Sequence, residues 1–183
     1  MTDFLQAHPQ GTILAMDQIT LYFQATLTRV WARIGQTPII KVAPQRDHMF
    51  FYGVLDVGRG RAIAVPSALQ NQEVTAHFLR QVLFHFPLEP ILLLLDRAPW
   101  HFGPDIRAVL EANPHLELMY FPPACPDLNP QEHVWELARD AISHNHTYTD
   151  FGLLLEDFET FLNETPFDIK FLEKYVPAIL CEV

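Results

Sequence analysis

The sequence predicts a single α/β domain over residues 1–183, with a mixed five-stranded sheet flanked by helices. Three observations support this fold class. The apolar segments follow the order of three early strands, then strand, helix, strand and helix. The aliphatic run ILLLL at residues 91–95 is typical of a strand covered on both faces. With 183 residues, 49% of them hydrophobic, the chain is long enough to bury one core.

The first three strands are predicted where short apolar runs lie between turn residues, at residues 11–18, 48–57 and 61–67. The tripeptide GRG separates the second run from the third, so these two strands should form a hairpin. Asp17 lies near the end of the first strand.

The second half of the chain alternates helices with strands. Strands are predicted at residues 91–96 and 116–121, and four prolines between residues 122 and 130 indicate a rigid connector. Helices, which share apolar residues at helical spacing, are predicted at residues 71–86, 103–113 and 130–144, with further helices expected at 150–163 and 168–175.

The net charge of −10 argues against a protein that holds nucleic acid by bulk electrostatics. The charge is unevenly distributed, however. Residues 29–61 contain six basic residues against two acidic ones, whereas residues 150–183 contain eight acidic residues against two lysines. A basic region therefore precedes an acidic C-terminal segment.

The remaining composition indicates a cytoplasmic protein. No apolar run reaches the roughly 20 residues of a membrane helix, and the first ten residues lack the pattern of a signal peptide. The two cysteines, Cys125 and Cys181, show neither a disulfide framework nor metal-ligand spacing, so both are interpreted as free thiols.

Three acidic residues stand where chemistry is expected. Asp96 ends the aliphatic strand, and if the strand ending near Asp17 lies beside it, the two carboxylates repel one another at one edge of the sheet. Magnesium removes this conflict, and two such ions about 3.5–4 Å apart stabilise the attacking and leaving oxygens of a phosphoryl displacement. Glu132, on the helix after the proline-rich connector, is the natural third ligand.

Each of these acids also has a purely structural interpretation. Asp17 could face water at a strand end, and Asp96 could form a turn. Glu132 stands three residues after Asn129, a good N-cap, and Pro130 suits the first helical position, so Glu132 could complete a capping box. The residues alone leave both interpretations open.

Three longer segments carry a resemblance to a known family. They resemble the catalytic domain of DDE transposases, in the bacterial insertion-sequence group related to Tc and mariner elements. The segments are VWARIGQTPII at 30–40, LLLLDRAPWH at 92–101 and LELMYFPPACPDLNPQEHVW at 116–135. The resemblance runs from about residue 11 to residue 165, and it is most specific at residues 122–135.

This resemblance implies a ribonuclease H-like fold in which Asp17, Asp96 and Glu132 are the catalytic residues and hold two Mg²⁺ or Mn²⁺ ions. The implied reaction is metal-dependent cleavage of DNA at transposon ends, followed by strand transfer into target DNA. Only about ten residues precede the first strand, so we expect the family's N-terminal helix-turn-helix part to be absent here. Either a separately encoded subunit supplies that part, or the chain is a remnant or an excised domain. A homodimer is a further expected partner.

Basic side chains and one histidine are candidates for contacts with DNA, with scattered surface charge as the alternative for the basic ones. For the histidine, packing beside Trp100 is the alternative. The candidates are Arg29, Arg33, Lys41, Arg46 and His101. Trp31, in the same basic region, is expected to be a core aromatic residue, with insertion against DNA bases as the alternative.

The chain departs from the family pattern at three positions. Gln18 follows the first acid where the family has Glu, and Arg97 follows the second where the family has Asn. Cys125 falls in the proline-rich connector and is interpreted as a filler rather than a ligand. The alternative function is a catalytically decayed or repurposed domain that binds a protein through its acidic C-terminal helices.

Overall fold

The centre of the molecule is a five-stranded mixed sheet, seen in a computed structural model that describes residues 1–36, 39, 46–87, 89–123, 125 and 128–168. The strand order is β3-β2-β1-β4-β5. The strands are β1 (Thr12–Tyr22), β2 (His48–Asp56), β3 (Arg61–Ser67), β4 (Ile91–Leu95) and β5 (Leu116–Tyr120). The β1–β2 and β2–β3 pairs are antiparallel, whereas β1–β4 and β4–β5 are parallel. The predicted fold class and all five predicted strands are confirmed.

Five α-helices accompany the sheet in the part of the chain that the structure describes. They are α1 (Thr2–Ala7), α2 (Gln72–His85), α3 (Pro104–Ala112), α4 (Pro130–Ala138) and α5 (Phe151–Glu164). Asn71 and Asp150 cap α2 and α5, because their side chains accept hydrogen bonds from backbone N–H groups of the first turn. The short α1 has no counterpart in the sequence analysis, and the helix expected at 168–175 lies outside the described residues apart from its first position.

Two elements differ from their predicted bounds by more than one residue. β1 extends to Tyr22 rather than residue 18, because it pairs with β2 as far as Tyr22 and His48. The helix predicted at 130–144 is α-helical only to Ala138, and Arg139–Ser143 continues it as a wider π-helical turn. Asp17 therefore lies in the middle of β1 rather than near its end.

The two faces of the sheet are both covered, which explains the continuous aliphatic pattern of β4. All five residues of β4 are buried. Leu93 belongs to a cluster with Phe78 of α2, on one face. Leu92 belongs to a second cluster with Trp135 of α4 and Phe158 of α5, on the other face. This agrees with a strand that is covered by helices on both sides.

Trp31 lies in the loop after β1. Its side chain is fully exposed, so the expectation of a core aromatic residue is wrong. The last register pair of β1 and β2 joins Tyr22 to His48, and residues 27–36 run as an irregular loop beyond that point. No helix among the described residues has the length and apolar character that crossing a membrane requires.

Gly53 of β2 allows α4 to pack closely against the sheet. It pairs with Asp17 of β1. A Cβ atom at Gly53 would lie 2.6 Å from Cζ2 of Trp135 and 2.7 Å from Nε2 of Gln131, closer than real Cβ contacts. Both of these α4 side chains are fully buried. The missing side chain at Gly53 therefore sets the position of α4.

We expect Gly53→Ala to lower the free energy of unfolding by about 1–3 kcal/mol, because overpacking forces α4 or the sheet to shift. Urea denaturation followed by circular dichroism measures this change. Gly58→Ala is the matched control, since its added Cβ would meet only an ordinary contact of 3.5 Å with Asp56. Equal stability of the two variants would contradict the packing argument.

Candidate metal centre

A cleft with a volume of about 340 Å³ brings the three predicted acids together. Asp17, Asp96 and Glu132 all contribute to its lining. The other lining residues are Arg97, Ala98, Phe121, Pro122, Pro123, Cys125 and Asn129. The sequence-predicted set thus shares one site, formed by β1, the loop after β4 and the start of α4.

The register of the sheet explains how two of these acids meet. The last parallel pair of β1 and β4 joins Ala15 to Leu94. Asp17 and Asp96 each follow two residues later, at the point where the two strands stop pairing with each other. They therefore occupy corresponding positions at the carboxyl edge of β4, where ligands bind in open α/β sheets.

Asp17 carries the clearest electrostatic signature of the site. Burial raises the pKa of Asp17 to about 7, and repulsion from Glu132 and, less strongly, from Asp96 adds to the increase. The indole Nε1–H of Trp135 donates to Oδ2 of Asp17 at 3.1 Å, which favours the ionised form. The carboxylates of Glu132 and Asp96 thus act electrostatically on Asp17 across the cleft.

Asp96 is the more exposed acid, with 54% of its side chain accessible. Its Oδ1 accepts hydrogen bonds from the backbone N–H of Ala98 at 3.0 Å and from Nδ1 of His101 at 2.8 Å. The first contact is the turn that the structural interpretation expected. Turn formation and a place in the cleft are therefore compatible, because the contacts with Ala98 and His101 both fall on Oδ1.

Glu132 reaches the cleft from the first turn of α4. The side chain of Asn129 caps this helix by accepting from the N–H of Gln131 at 3.1 Å, and its Nδ2 donates to the carbonyl oxygen of Met16 at 3.1 Å. Since Asn129 is buried, this link fastens the start of α4 to β1 beside Asp17. The capping role predicted for Asn129 is confirmed.

The three carboxylates share a cleft without forming a closed ligand cage. Within the described part of the chain, no group of three His, Cys, Asp or Glu side chains stands close enough together to hold a metal ion as placed. Carboxylates at one site repel one another unless a positive charge lies among them. Arg97 does not supply that charge directly, because its Nε donates to the carbonyl oxygen of Phe121 and its guanidinium lies over the ring of Tyr120.

The structure also places the remaining candidates. Arg29 and Arg33 lie exposed in the loop after β1, and exposed Arg46 lines a second cleft with Tyr22 and Gln24. Lys41 and Cys181 lie outside the described residues. Cys125 is a free thiol, as predicted.

His101 is fully buried, so its ring offers no surface to a DNA phosphate. This corrects the expectation of a direct contact with DNA. Its ring packs edge-on against Trp100 at 6.2 Å, as the alternative interpretation held. Burial also lowers the pKa of His101, which favours the neutral ring.

Sequence reasoning missed two side chains that hold the acids in place. The sequence analysis gives Trp135 no role, yet its indole N–H donates to Asp17. Its spacing of three residues from Glu132 was a signal that both face the same side. Gln18 was noted only as a departure, but it contacts both Trp100 and His101.

Comparison with known proteins agrees with this architecture. The model of the DDE superfamily endonuclease family matches residues 6–154. The "Insertion element IS630 uncharacterized 39 kDa protein" of Shigella sonnei is 22% identical over 147 residues, which cover 80% of this chain and 43% of that protein. The chain therefore spans less than half of the length of this relative.

Solved structures of the Mos1 transposase share the fold. Its paired-end complex with the left transposon end has a TM-score of 0.70 at 15% identity, covering 98% of this chain and 55% of that one. The Mos1 mariner paired-end complex with Mn has a TM-score of 0.66 at 15% identity, covering 89% and 52%. This likeness confirms the ribonuclease H-like fold. The family model matches most of the length of this chain. The chain therefore belongs to the DDE superfamily endonucleases.

Proposed function

We propose that this chain catalyses divalent-metal-dependent cleavage and strand transfer of DNA, as the catalytic domain of an insertion-sequence transposase. The observation that supports this most directly is the shared cleft, in which burial and then repulsion from Glu132 and Asp96 raise the pKa of Asp17. Carboxylate oxygens are the ligands that Mg²⁺ and Mn²⁺ prefer. We therefore propose that these three side chains would hold two dications, whose positive charge would offset the repulsion.

The protein's own contribution is to hold three carboxylates on three different elements. Trp135 orients Asp17 through Oδ2, and the turn at Ala98 orients Asp96 through Oδ1. Bound dications would supply the Lewis acidity that activates water or a 3′-hydroxyl and stabilises the departing oxygen. Because the nucleophile is not a side chain, the proposal requires no covalent protein intermediate.

DNA is the proposed substrate, both as transposon ends and as target. Support comes from the family match and from Mos1, whose structure holds a transposon end. Arg29, Arg33, Lys41 and Arg46 are the proposed phosphate contacts, since phosphates are bound mainly by Arg and Lys. A separately encoded helix-turn-helix subunit, a second copy of this chain and a cytoplasmic location complete the proposal.

Calorimetric titration with Mn²⁺ tests the proposal without a DNA substrate. We expect two binding sites in the wild-type chain, and loss of at least one site in each of Asp17→Asn, Asp96→Asn and Glu132→Gln. Asp105→Asn is the control, because Asp105 is exposed on α3 and does not line the cleft. Absence of binding to the wild-type chain in millimolar Mn²⁺ would contradict the proposed metal centre.

The alternative of a protein-binding domain predicts a different result. A decayed domain would retain its fold while Mn²⁺ binding is lost, and its acidic C-terminal helices would be its contact surface. Of those helices, α5 is described and the segment beyond residue 168 is not. Calorimetry therefore separates the two functions before any activity is assayed.

A further inference from the structure

We propose that Gln18 and His101 are positioning residues, which fix the carboxylate of Asp96 through a directed chain of hydrogen bonds that begins at Trp100. This inference rests on the proposed function, because it assigns Asp96 a ligand role. It goes beyond that function by assigning work to a buried histidine and to a glutamine that lie behind the acids.

The proton on the His101 ring can be placed from its neighbours. Nδ1 lies 2.8 Å from Oδ1 of Asp96 and 3.1 Å from the backbone carbonyl oxygen of the same residue. A carbonyl oxygen can only accept a hydrogen bond, so Nδ1 carries the hydrogen and donates it. In a neutral ring, Nε2 is then an acceptor.

The orientation of the Gln18 amide follows from a second one-way partner. The indole Nε1 of Trp100 lies 2.8 Å from Oε1 of Gln18, and an indole N–H can only donate. Oε1 is therefore an acceptor, and the amide Nε2 lies 3.0 Å from Nε2 of His101. The amide N–H of Gln18 therefore donates to Nε2 of His101, the ring nitrogen that carries no hydrogen. The approach of Oε1 to the same ring nitrogen, at 3.2 Å, is secondary, because that oxygen already accepts from Trp100.

These contacts form one chain with a fixed direction. Trp100 donates to Gln18, Gln18 donates to His101, and His101 donates to Asp96. The histidine is fully buried, so water does not compete for its ring. Its own backbone is also held, since the hydroxyl of Tyr120 donates to the carbonyl oxygen of His101 at 3.3 Å.

The consequence falls on the exposed carboxylate of Asp96. Oδ1 accepts from both His101 and Ala98, which fixes the side-chain torsion angles. Oδ2 is then the oxygen available to a cation. Hydrogen bonds behind a metal ligand typically orient it and contribute about 10–100-fold to metal affinity.

The identity of residue 18 matters to this direction. A glutamate would accept from Trp100 but would have no N–H for the ring, so His101 would have to turn its hydrogen toward residue 18 or carry two. The glutamine at position 18 can donate to Nε2 of His101, which suits a ring whose single hydrogen is on Nδ1 and points to Asp96.

Nuclear magnetic resonance of the metal-free, ¹⁵N-labelled chain tests the direction of the hydrogen bonds. We expect the His101 ring nitrogens to report the Nδ1–H tautomer in the wild-type protein, and a shift toward Nε2–H or a doubly protonated ring in Gln18→Glu. A wild-type ring in the Nε2–H tautomer would overturn the proposal. This measurement does not depend on metal binding, so it determines the direction of the hydrogen bonds even if the proposed function fails.

Mn²⁺ calorimetry tests the effect on Asp96. We expect His101→Leu and Gln18→Met to weaken Mn²⁺ binding about 10–100-fold, and His101→Asn to stay within about threefold, because its Nδ2 can replace the Nδ1–H donor. His77→Asn, at an exposed position of α2, is the control. If His101→Leu does not fold, the comparison of His101→Asn with Gln18→Met decides. Wild-type affinity in folded Gln18→Met would contradict the role of the chain.

If the wild-type chain binds no Mn²⁺ but shows the expected tautomer, the proposed function fails and the hydrogen-bond chain stands as a structural device only. That outcome would also remove the positioning role. If the wild-type chain binds Mn²⁺ but its His101 ring is in the Nε2–H tautomer, the proposed function stands and the positioning role is overturned.

Discussion

Asp96→Asn is expected to reduce Mn²⁺-dependent nicking of a supercoiled plasmid by at least about a hundredfold, the scale of losing one electrostatic stabiliser of a phosphoryl-transfer site. The amide has nearly the same shape as the carboxylate, and its oxygen can still accept from the N–H of Ala98. The fold should therefore survive. What is lost is the negative charge that, in the proposed function, would hold a cation at the edge of β4.

The design of this assay separates catalysis from contamination by other nucleases. Asp105→Asn should nick at the wild-type rate, since Asp105 lies outside the cleft. Equal activity of the wild type and Asp96→Asn would show that the nicking does not come from this site. If neither is active and the wild type binds no Mn²⁺, the endonuclease proposal is abandoned.

The second large effect concerns stability and pH. The pKa of Asp17 is about 7 in the folded chain against 3.8 as its ordinary value, so the folded state binds a proton more tightly than the unfolded state. The free energy of unfolding should then fall as pH rises from about 4 to 7, since ionisation disfavours the folded state. Asp17→Asn should remove this loss and be more stable than the wild type by about 2–4 kcal/mol at pH 8 in chelator.

Urea denaturation at pH 5 and pH 8, with a chelator present, measures the difference between the two proteins. The stability advantage of Asp17→Asn should be larger at pH 8 than at pH 5. Asp47→Asn, an exposed position, is the control and should show no such dependence. A pH-independent difference would mean that repulsion and burial do not strain Asp17. Addition of Mn²⁺ should narrow the gap by stabilising only the wild type.

The parts of the fold that depend on local pattern were predictable from the sequence. β4 has an unbroken aliphatic run and α4 has a proline start with a clear cap at Asn129, so each is specified by its own residues. The length of β1 was not predictable in this way, because its last four residues are held by pairing with β2, which lies some thirty residues away. Register between distant segments is not visible in either segment alone.

The candidate site shows the same division. The three acids could be named because each lies within or directly after an element that the sequence predicts. The residues that hold them could not, since the contact of Trp135 with Asp17 depends on the close approach of α4 over Gly53. Trp31 and His101 were misplaced for a related reason. Their residue types suit either a surface or a core, and only the packing of the chain decides between the two.

The central position of β1 gives the three acids unequal freedom. Asp17 lies on the central strand β1, two residues beyond the part that pairs with both β2 and β4, so its backbone is held by the sheet. Asp96 lies on the loop after β4, where Oδ1 of its carboxylate accepts from Ala98 and His101, and Glu132 lies in the first turn of α4. A rearrangement that gathers the carboxylates around cations would therefore fall mainly to the side chain of Glu132, which has one more rotatable bond than an aspartate.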